Sequence, residues 1–148
     1  MEKDVEYMTR ALDLARQAAA EGEVPVGCVI VRDGRIVGEG RNRREGIRNA
    51  LAHAEIEAID QACRTLGGWR LIGCTLYVTL EPCPMCAGAI VNARIPRVVY
   101  GGKDIRFGAM GSLINVNSYP LNHHARVESG MMEAECVTIL REFFRQRR

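Results

Sequence analysis

The pentapeptide Pro82-Cys83-Pro84-Met85-Cys86, with His53-Ala54-Glu55 upstream, constrains this chain more than any other feature. Proline is at ease in the first position of a helix, where its missing N–H has no partner to lose. Pro84 therefore puts Cys83 at a helix cap and Cys86 in the first turn, and residues three apart share a helix face. Both sulfurs lie near the free N–H groups and the positive end of the helix dipole, which favour thiolates. His53 follows a polar loop and opens a helix of its own. A fold that serves this pattern must bring two helix N-termini together, as open α/β sheets do at the carboxyl ends of adjacent strands.

Two thiolates and an imidazole are three ligands for zinc, and three protein ligands leave a fourth position open for chemistry. Glu55 lies two residues beyond His53 and so does not face the same way along the helix. It is expected to act on water at the open position rather than to bind the metal. Ala54, between them, is small enough to let a substrate approach the backbone. A thioredoxin-like redox pair has no need of an upstream His-x-Glu. A structural zinc needs a fourth Cys or His, and the remaining histidines, His123 and His124, lie in a distant loop segment. The expected cofactor is one catalytic Zn2+ per subunit, held by His53, Cys83 and Cys86.

Hydrophobic periodicity places these residues. Val5, Met8, Leu12, Ala15 and Ala19 recur at helical spacing and predict a helix over 3–20. Val24–Arg32 and Arg35–Arg41 read as strands joined by Asp33-Gly34, a strong hairpin signal. A polar loop over 42–51 leads to a helix over 53–66, ended by Gly67-Gly68. Then come a strand over 76–80, a helix over 84–93 and a strand over 98–100 that ends at Gly101-Gly102. Residues 103–125 are loop-like, with room for one short helical turn, before a strand over 126–128 and a helix over 133–147. Strands alternating with helices predict a three-layer α/β/α sandwich on a mixed five-stranded sheet, with 53–66 and 84–93 as crossovers. No repeat or linker divides the sequence, so residues 1–148 are expected to form a single domain.

Hydrophobic residues at 47% and charged residues at 26% fit a soluble globular chain. No apolar run approaches the roughly 18 to 20 residues that cross a bilayer, and the N-terminus lacks the apolar stretch of a secretory signal. A cytoplasmic protein with no membrane partner is expected. Without an export signal the six cysteines do not read as a disulfide framework. Cys28, Cys63, Cys74 and Cys136 sit among apolar neighbours and read as small buried hydrophobes. Arginine outnumbers lysine eighteen to two, with four arginines in 41–48 and four in the last eight residues. Guanidinium suits bidentate phosphate contact, although a basic C-terminus also complements a helix dipole.

The pattern His-x-Glu with Pro-Cys-x-x-Cys resembles the zinc-dependent nucleoside and nucleobase deaminases, the cytidine deaminase-like superfamily. In that chemistry zinc lowers the pKa of water and Glu55 carries its proton, first to a ring nitrogen and then to the leaving amine. Over nearly its whole length the chain is similar to the bacterial tRNA-specific adenosine deaminases. The matching stretches are Glu23–Gly27, Gly38–Asn42, Leu76–Pro82, Ala87–Ile90, Arg97–Gly101, Lys103–Leu113 and the Phe143-Phe144-Arg145 tail.

The resemblance implies hydrolytic deamination of the wobble adenosine in a tRNA anticodon stem-loop to inosine, by a homodimer. It implies that Asn42 hydrogen-bonds the target base and that Asp104 shapes the loop around the anticodon, with Arg145 in the basic tail that meets RNA. Phe107, Phe143 and Phe144 are candidates to stack on splayed bases, core packing being equally open for the last two. One departure is Asn49-Ala50-Leu51, where relatives often carry Asp-Pro-Thr. The zinc motif alone also fits a deaminase of a free base or nucleoside of guanine or cytidine type. A non-enzymatic alternative is an RNA-binding module with a structural zinc.

Overall fold

Asp33 and Gly34 both take positive φ, 52° and 75°, and turn β1 (Gly27–Arg32) back onto β2 (Arg35–Arg41) in the computed structural model, which describes residues 2–147. The hairpin is preceded by α1 (Glu2–Ala20) and followed by α2 (Ala54–Leu66), β3 (Thr75–Leu80), α3 (Pro84–Asn92) and β4 (Arg97–Gly102). A single 3-10 turn at Val116–Ser118, β5 (Arg126–Ser129) and α4 (Glu133–Arg145) complete the described chain. The strand order is β2-β1-β3-β4-β5. β1 runs antiparallel to both β2 and β3, whereas β3, β4 and β5 are mutually parallel. The sheet is thus mixed and five-stranded; α3 supplies the crossover between the parallel neighbours β3 and β4, α2 carries the chain past β1 from β2 to β3, and residues 103–125, a loop rather than a helix, link β4 to β5.

Alternation along the strands builds the layers. Cys28, Ile30, Leu76, Val78 and Val98 point to one face, where Ala54, Ala58 and Ala62 of α2 and Ile90 of α3 cover them. Val29, Val31, Tyr77 and Val99 point to the other, against Met8, Ala11 and Leu12 of α1 and Cys136 of α4. On that second face Arg97 pairs with Asp4 at 2.9 Å and with Glu128 at 2.7 Å, tying α1 and β5 to β4.

Small residues set how closely α2 lies on β2. A Cβ on Gly38 would meet the Ala58 carbonyl at 2.2 Å, and one on Gly40 would meet the Ala54 carbonyl at 2.2 Å. Most boundaries fall within two residues of expectation, and two of the differences have a local cause. β1 starts at Gly27 rather than Val24, because Pro25 has no N–H for the ladder; Val24 and Val26 line a cavity instead. β4 continues through Gly101 and Gly102 rather than stopping before them. A Cβ on Gly101 would lie 2.3 Å from Cys136 Sγ, so glycine there lets α4 close onto the strand.

Candidate metal centre and substrate cavity

His53 and Cys83 are the cap residues of α2 and α3, both with extended backbone, and Pro84 occupies the first turn of α3. The His53 side chain makes no capping bond to α2, so it is free to meet the sulfurs of α3. His53 Nδ1 lies 3.7 Å from Cys83 Sγ and 3.6 Å from Cys86 Sγ. Tetrahedral zinc, with Zn–S about 2.3 Å and Zn–N about 2.0–2.1 Å, requires ligand edges of roughly 3.6 Å. These three donors fit that ion without rearrangement, and no fourth His, Cys, Asp or Glu joins the group among the described residues. His123 and His124 are engaged elsewhere, by the Ile95 carbonyl at 2.6 Å and the Tyr119 carbonyl at 2.7 Å.

The electrostatics favour one thiolate of the pair, on Cys83. A hydrogen bond from the Cys86 thiol, joined by the His53 ring, pushes Cys83 down to about 4. Cys86 is held well above the ordinary thiol range, chiefly because it donates that bond and secondly because it is buried. His53 is raised, first by its contact with Cys83. Glu55 is buried in the first turn of α2, and desolvation pushes it up to about 7. A carboxyl poised near neutrality is suited to taking and returning a proton.

Beside this group lies a cavity of about 140 Å³, walled by Asn42, Arg44, Ala54, Glu55, Asp104 and Phe107 among others. Drug-sized pockets begin at roughly 300 Å³, so this one admits a single ring system and leaves the rest of a larger ligand outside. Asn42 is buried, donating from Nδ2 to the Val24 carbonyl at 3.3 Å and accepting the Arg44 N–H at 3.4 Å on Oδ1. One N–H and one lone pair of its amide remain for a ligand. Asp104 Oδ1 accepts the N–H groups of Arg106 and Phe107, each at 3.1 Å, and so turns the segment that carries the Phe107 ring.

Of the residues singled out in the sequence, His53, Ala54, Glu55, Cys83, Asn42, Asp104 and Phe107 border this cavity, with Cys86 behind it. Phe144 and Arg145 do not. Phe144 lines an adjoining groove with Ile105, Arg106, Phe107 and Leu140, and Arg145 lines its continuation with Lys103 and Arg141. Phe143 is buried, edge-on to Phe144, with Arg147 stacked on it at 3.8 Å; its role is packing. Arg148 lies outside the described residues. In the 41–48 cluster, Arg41 pairs with Glu21 at 2.8 Å and Arg43 with Glu57 at 2.7 Å, while Arg44 faces the cavity.

Two buried carboxylates gave no signal in the sequence. Glu23 accepts the N–H groups of Glu45 and Gly46 at 3.1 and 2.7 Å and fixes the loop before α2. Glu81, next to Pro82, binds the segment after β4. Nothing in local spacing says which amides such a carboxylate will find.

Sheet order, layer arrangement and a His/Cys/Cys group at two helix caps define a deaminase domain of the cytidine deaminase-like fold. A family model of MafB19-like deaminases matches residues 2–148. The chain belongs to that family, among the relatives named tRNA-specific adenosine deaminase. It is 48% identical over its whole length to the protein of that name from Bacillus subtilis (strain 168), covering 92% of it. It is also 48% identical to the one from Agrobacterium fabrum, covering 98%. A solved structure from studies of A-to-I editing by tRNA:A34 deaminases at the wobble position superposes with a TM-score of 0.89. Identity there is 46%, over 91% of this chain and 99% of that one. A guanine deaminase from Bacillus subtilis superposes less closely, with a TM-score of 0.63 and 35% identity over 79% of this chain and 85% of that one.

Proposed function

We propose that this chain hydrolyses the exocyclic amine of the wobble adenosine in a tRNA anticodon loop, giving inosine and ammonia. The observation that carries the reading is the pairing of a cavity sized for one base with an open basic and aromatic groove beside it. A free base would fill the cavity and leave Ile105, Arg106, Phe107, Phe144, Lys103 and Arg145 without purpose. A base flipped from an RNA loop needs both, because its neighbours and their phosphates lie outside. The full-length relatives support the same substrate.

In this reading His53, Cys83 and Cys86 would hold one zinc ion, which would supply Lewis acidity and lower the pKa of the reacting water. Glu55 is the proton carrier. Its carboxylate takes a proton from the attacking water, returns it to a ring nitrogen, and passes the second to the amine as it leaves. Burial keeps that carboxyl near neutrality, so both transfers have little to climb. Asn42 offers its spare amide N–H and oxygen to the base edge, and Phe107 closes the cavity over its plane. Phe144 and Arg145 are assigned to flanking nucleotides, where a ring and a guanidinium find a base face and a phosphate.

The chain is taken as one deaminase unit over residues 1–148, acting as a homodimer. Leu113, Ile114, Tyr119 and Leu121, all exposed along one segment, offer an apolar surface for a second copy. Among the described residues no helix is long and apolar enough to cross a membrane; a cytoplasmic site of action follows from the tRNA substrate. The test is incubation with unmodified tRNA, and separately with free adenosine, guanine and cytidine. Sequencing the tRNA should read guanosine in place of adenosine at the wobble position. Turnover of free bases alone would overturn the assignment in favour of a small-molecule deaminase.

A further inference from the structure

We propose that Glu81 is a positioning residue: the segment 104–112 folds around its buried carboxylate, and through that segment Glu81 sets the substrate-facing wall of the cavity. Glu81 follows β3 directly, and Pro82 holds it extended. It is 2% exposed. One carboxylate oxygen, Oε1, accepts the Asp104 N–H at 3.0 Å and the Ser112 hydroxyl. The other, Oε2, accepts the N–H groups of Met110 and Ser112, both at 3.0 Å. No cation pairs with it among the described residues. A buried carboxylate is tolerated only when its lone pairs are filled. Here every donor comes from one stretch of chain, so that stretch cannot leave without stranding the charge.

Gly108 is a second, independent witness. A Cβ there would lie 2.3 Å from Glu81 Cδ and 2.5 Å from Oε1, so the backbone passes the carboxylate at a distance only glycine permits. The main chain stitches the same two segments together, Glu81 N–H to the Gly102 carbonyl at 2.8 Å and Ala109 N–H to the Pro82 carbonyl at 2.9 Å. What this arrangement presents to the cavity is Asp104 and Phe107, with Glu81 itself and Cys83 also on the cavity wall. The metal ligands are placed by other means, His53 by α2 and Cys83 and Cys86 by α3. Glu81 therefore governs how a ligand is held, and because Cys83 follows two residues later, zinc content is the control that separates this role from a displaced metal ligand.

The proposal rests on the deaminase reading for its kinetic arm only. Glu81→Gln keeps the shape but removes the charge and turns an NH2 toward at least one N–H donor, Asp104 or the Met110 and Ser112 pair, so at least one of the four bonds becomes repulsive. Ser112→Ala removes the hydroxyl donor alone and serves if the first variant fails to fold. Both are compared with the parent, zinc-loaded, in three measurements: zinc per chain, hydrogen exchange at the amides of residues 104, 110 and 112, and steady-state kinetics on an anticodon stem-loop RNA. With Glu81→Gln, zinc should stay at one per chain and the three amides should exchange about 100-fold faster. KM should rise roughly 10- to 100-fold with kcat within about threefold of the parent. Ser112→Ala should move exchange and KM the same way by a few-fold. Unchanged exchange, loss of zinc, or a fall in kcat at constant KM would each overturn the proposal. A parent inactive on RNA would defeat the substrate assignment, while exchange and zinc content would still decide the anchoring role.

Discussion

Substituting Gly40 by alanine should weaken zinc binding although residue 40 does not touch the metal. The added Cβ would fall 2.2 Å from the Ala54 carbonyl oxygen and 2.8 Å from the Ala58 nitrogen. Real Cβ atoms essentially never come within 3.0 Å of such neighbours. The obstacle is helix backbone, so the first turn of α2 must retreat by about 1 Å, against a tolerance of about 0.2 Å in metal–ligand distances. His53 caps that turn and moves with it, away from the sulfurs now 3.6 and 3.7 Å from its Nδ1. Overpacking of this kind costs about 1–3 kcal/mol, and a chain of this size loses about 2–4 °C in Tm per kcal/mol. The metal-free protein should melt roughly 2–12 °C lower, and zinc affinity should fall about 10- to 100-fold, as when ligand orientation is disturbed. Melting in chelator gives the first number and competition with a chromophoric chelator the second. Gly88→Ala is the control: nothing lies within 4 Å of its added Cβ, so this α3 variant should gain about 0.5–1 kcal/mol of helix propensity and bind zinc normally. Unchanged zinc affinity in Gly40→Ala would refute the idea that strand β2 sets the position of the metal ligand.

Other outcomes follow from the same geometry. Glu55→Ala should keep its zinc and lose about 10²- to 10⁴-fold in kcat, the worth of a positioned proton carrier; activity within tenfold of the parent would remove that role. Asp4 is held at about 2, below its ordinary 3.8, first by the hydrogen bond from Arg97. Its contribution to stability is therefore full above pH 4 and disappears as pH falls through about 2, and Asp4→Asn should cost about 1–2 kcal/mol at pH 7. Urea melts of parent and variant should converge between pH 4 and 2, and a gap that stays constant over that range would contradict the assignment. Truncation after Phe144 removes Arg145, Arg147 and Arg148 and should lower the salt slope of tRNA binding by about 2–3. An unchanged slope would make the tail a helix end and nothing more.

Local rules made much of the molecule legible. Asp33-Gly34 needs only its own two φ angles, Gly67 caps α2 through the Cys63 carbonyl, and Pro84 starts α3 by geometry internal to one turn. Each of these interactions spans four residues or fewer, so its partners are written next to one another. The same reasoning stopped short where partners are remote. Glycine, serine and asparagine interrupt every period of 103–125, and the segment is a loop with a single 3-10 turn, as expected. Nothing local shows that its residues 104–112 are held by a carboxylate 23, 29 and 31 residues away in sequence, at Asp104, Met110 and Ser112. The arginines of 41–48 looked alike until Glu21 and Glu57 claimed Arg41 and Arg43 and left Arg44 to the cavity. Phe143 and Phe144 are neighbours of equal hydrophobicity, and only the packing of α4 buried the first and exposed the second.

By itself, then, the sequence determined the His/Cys/Cys group of the candidate metal centre, its placement at two helix starts, and the α/β layering that follows from hydrophobic period. Tertiary structure alone decided the order β2-β1-β3-β4-β5 and the antiparallel step between β1 and β3. It also decided which charges are spent inside the fold and which face a ligand. The physical reason is range. Dihedral preference and helix-face periodicity act within a turn or a strand, whereas a buried charge is satisfied by whatever amides the completed sheet brings to it.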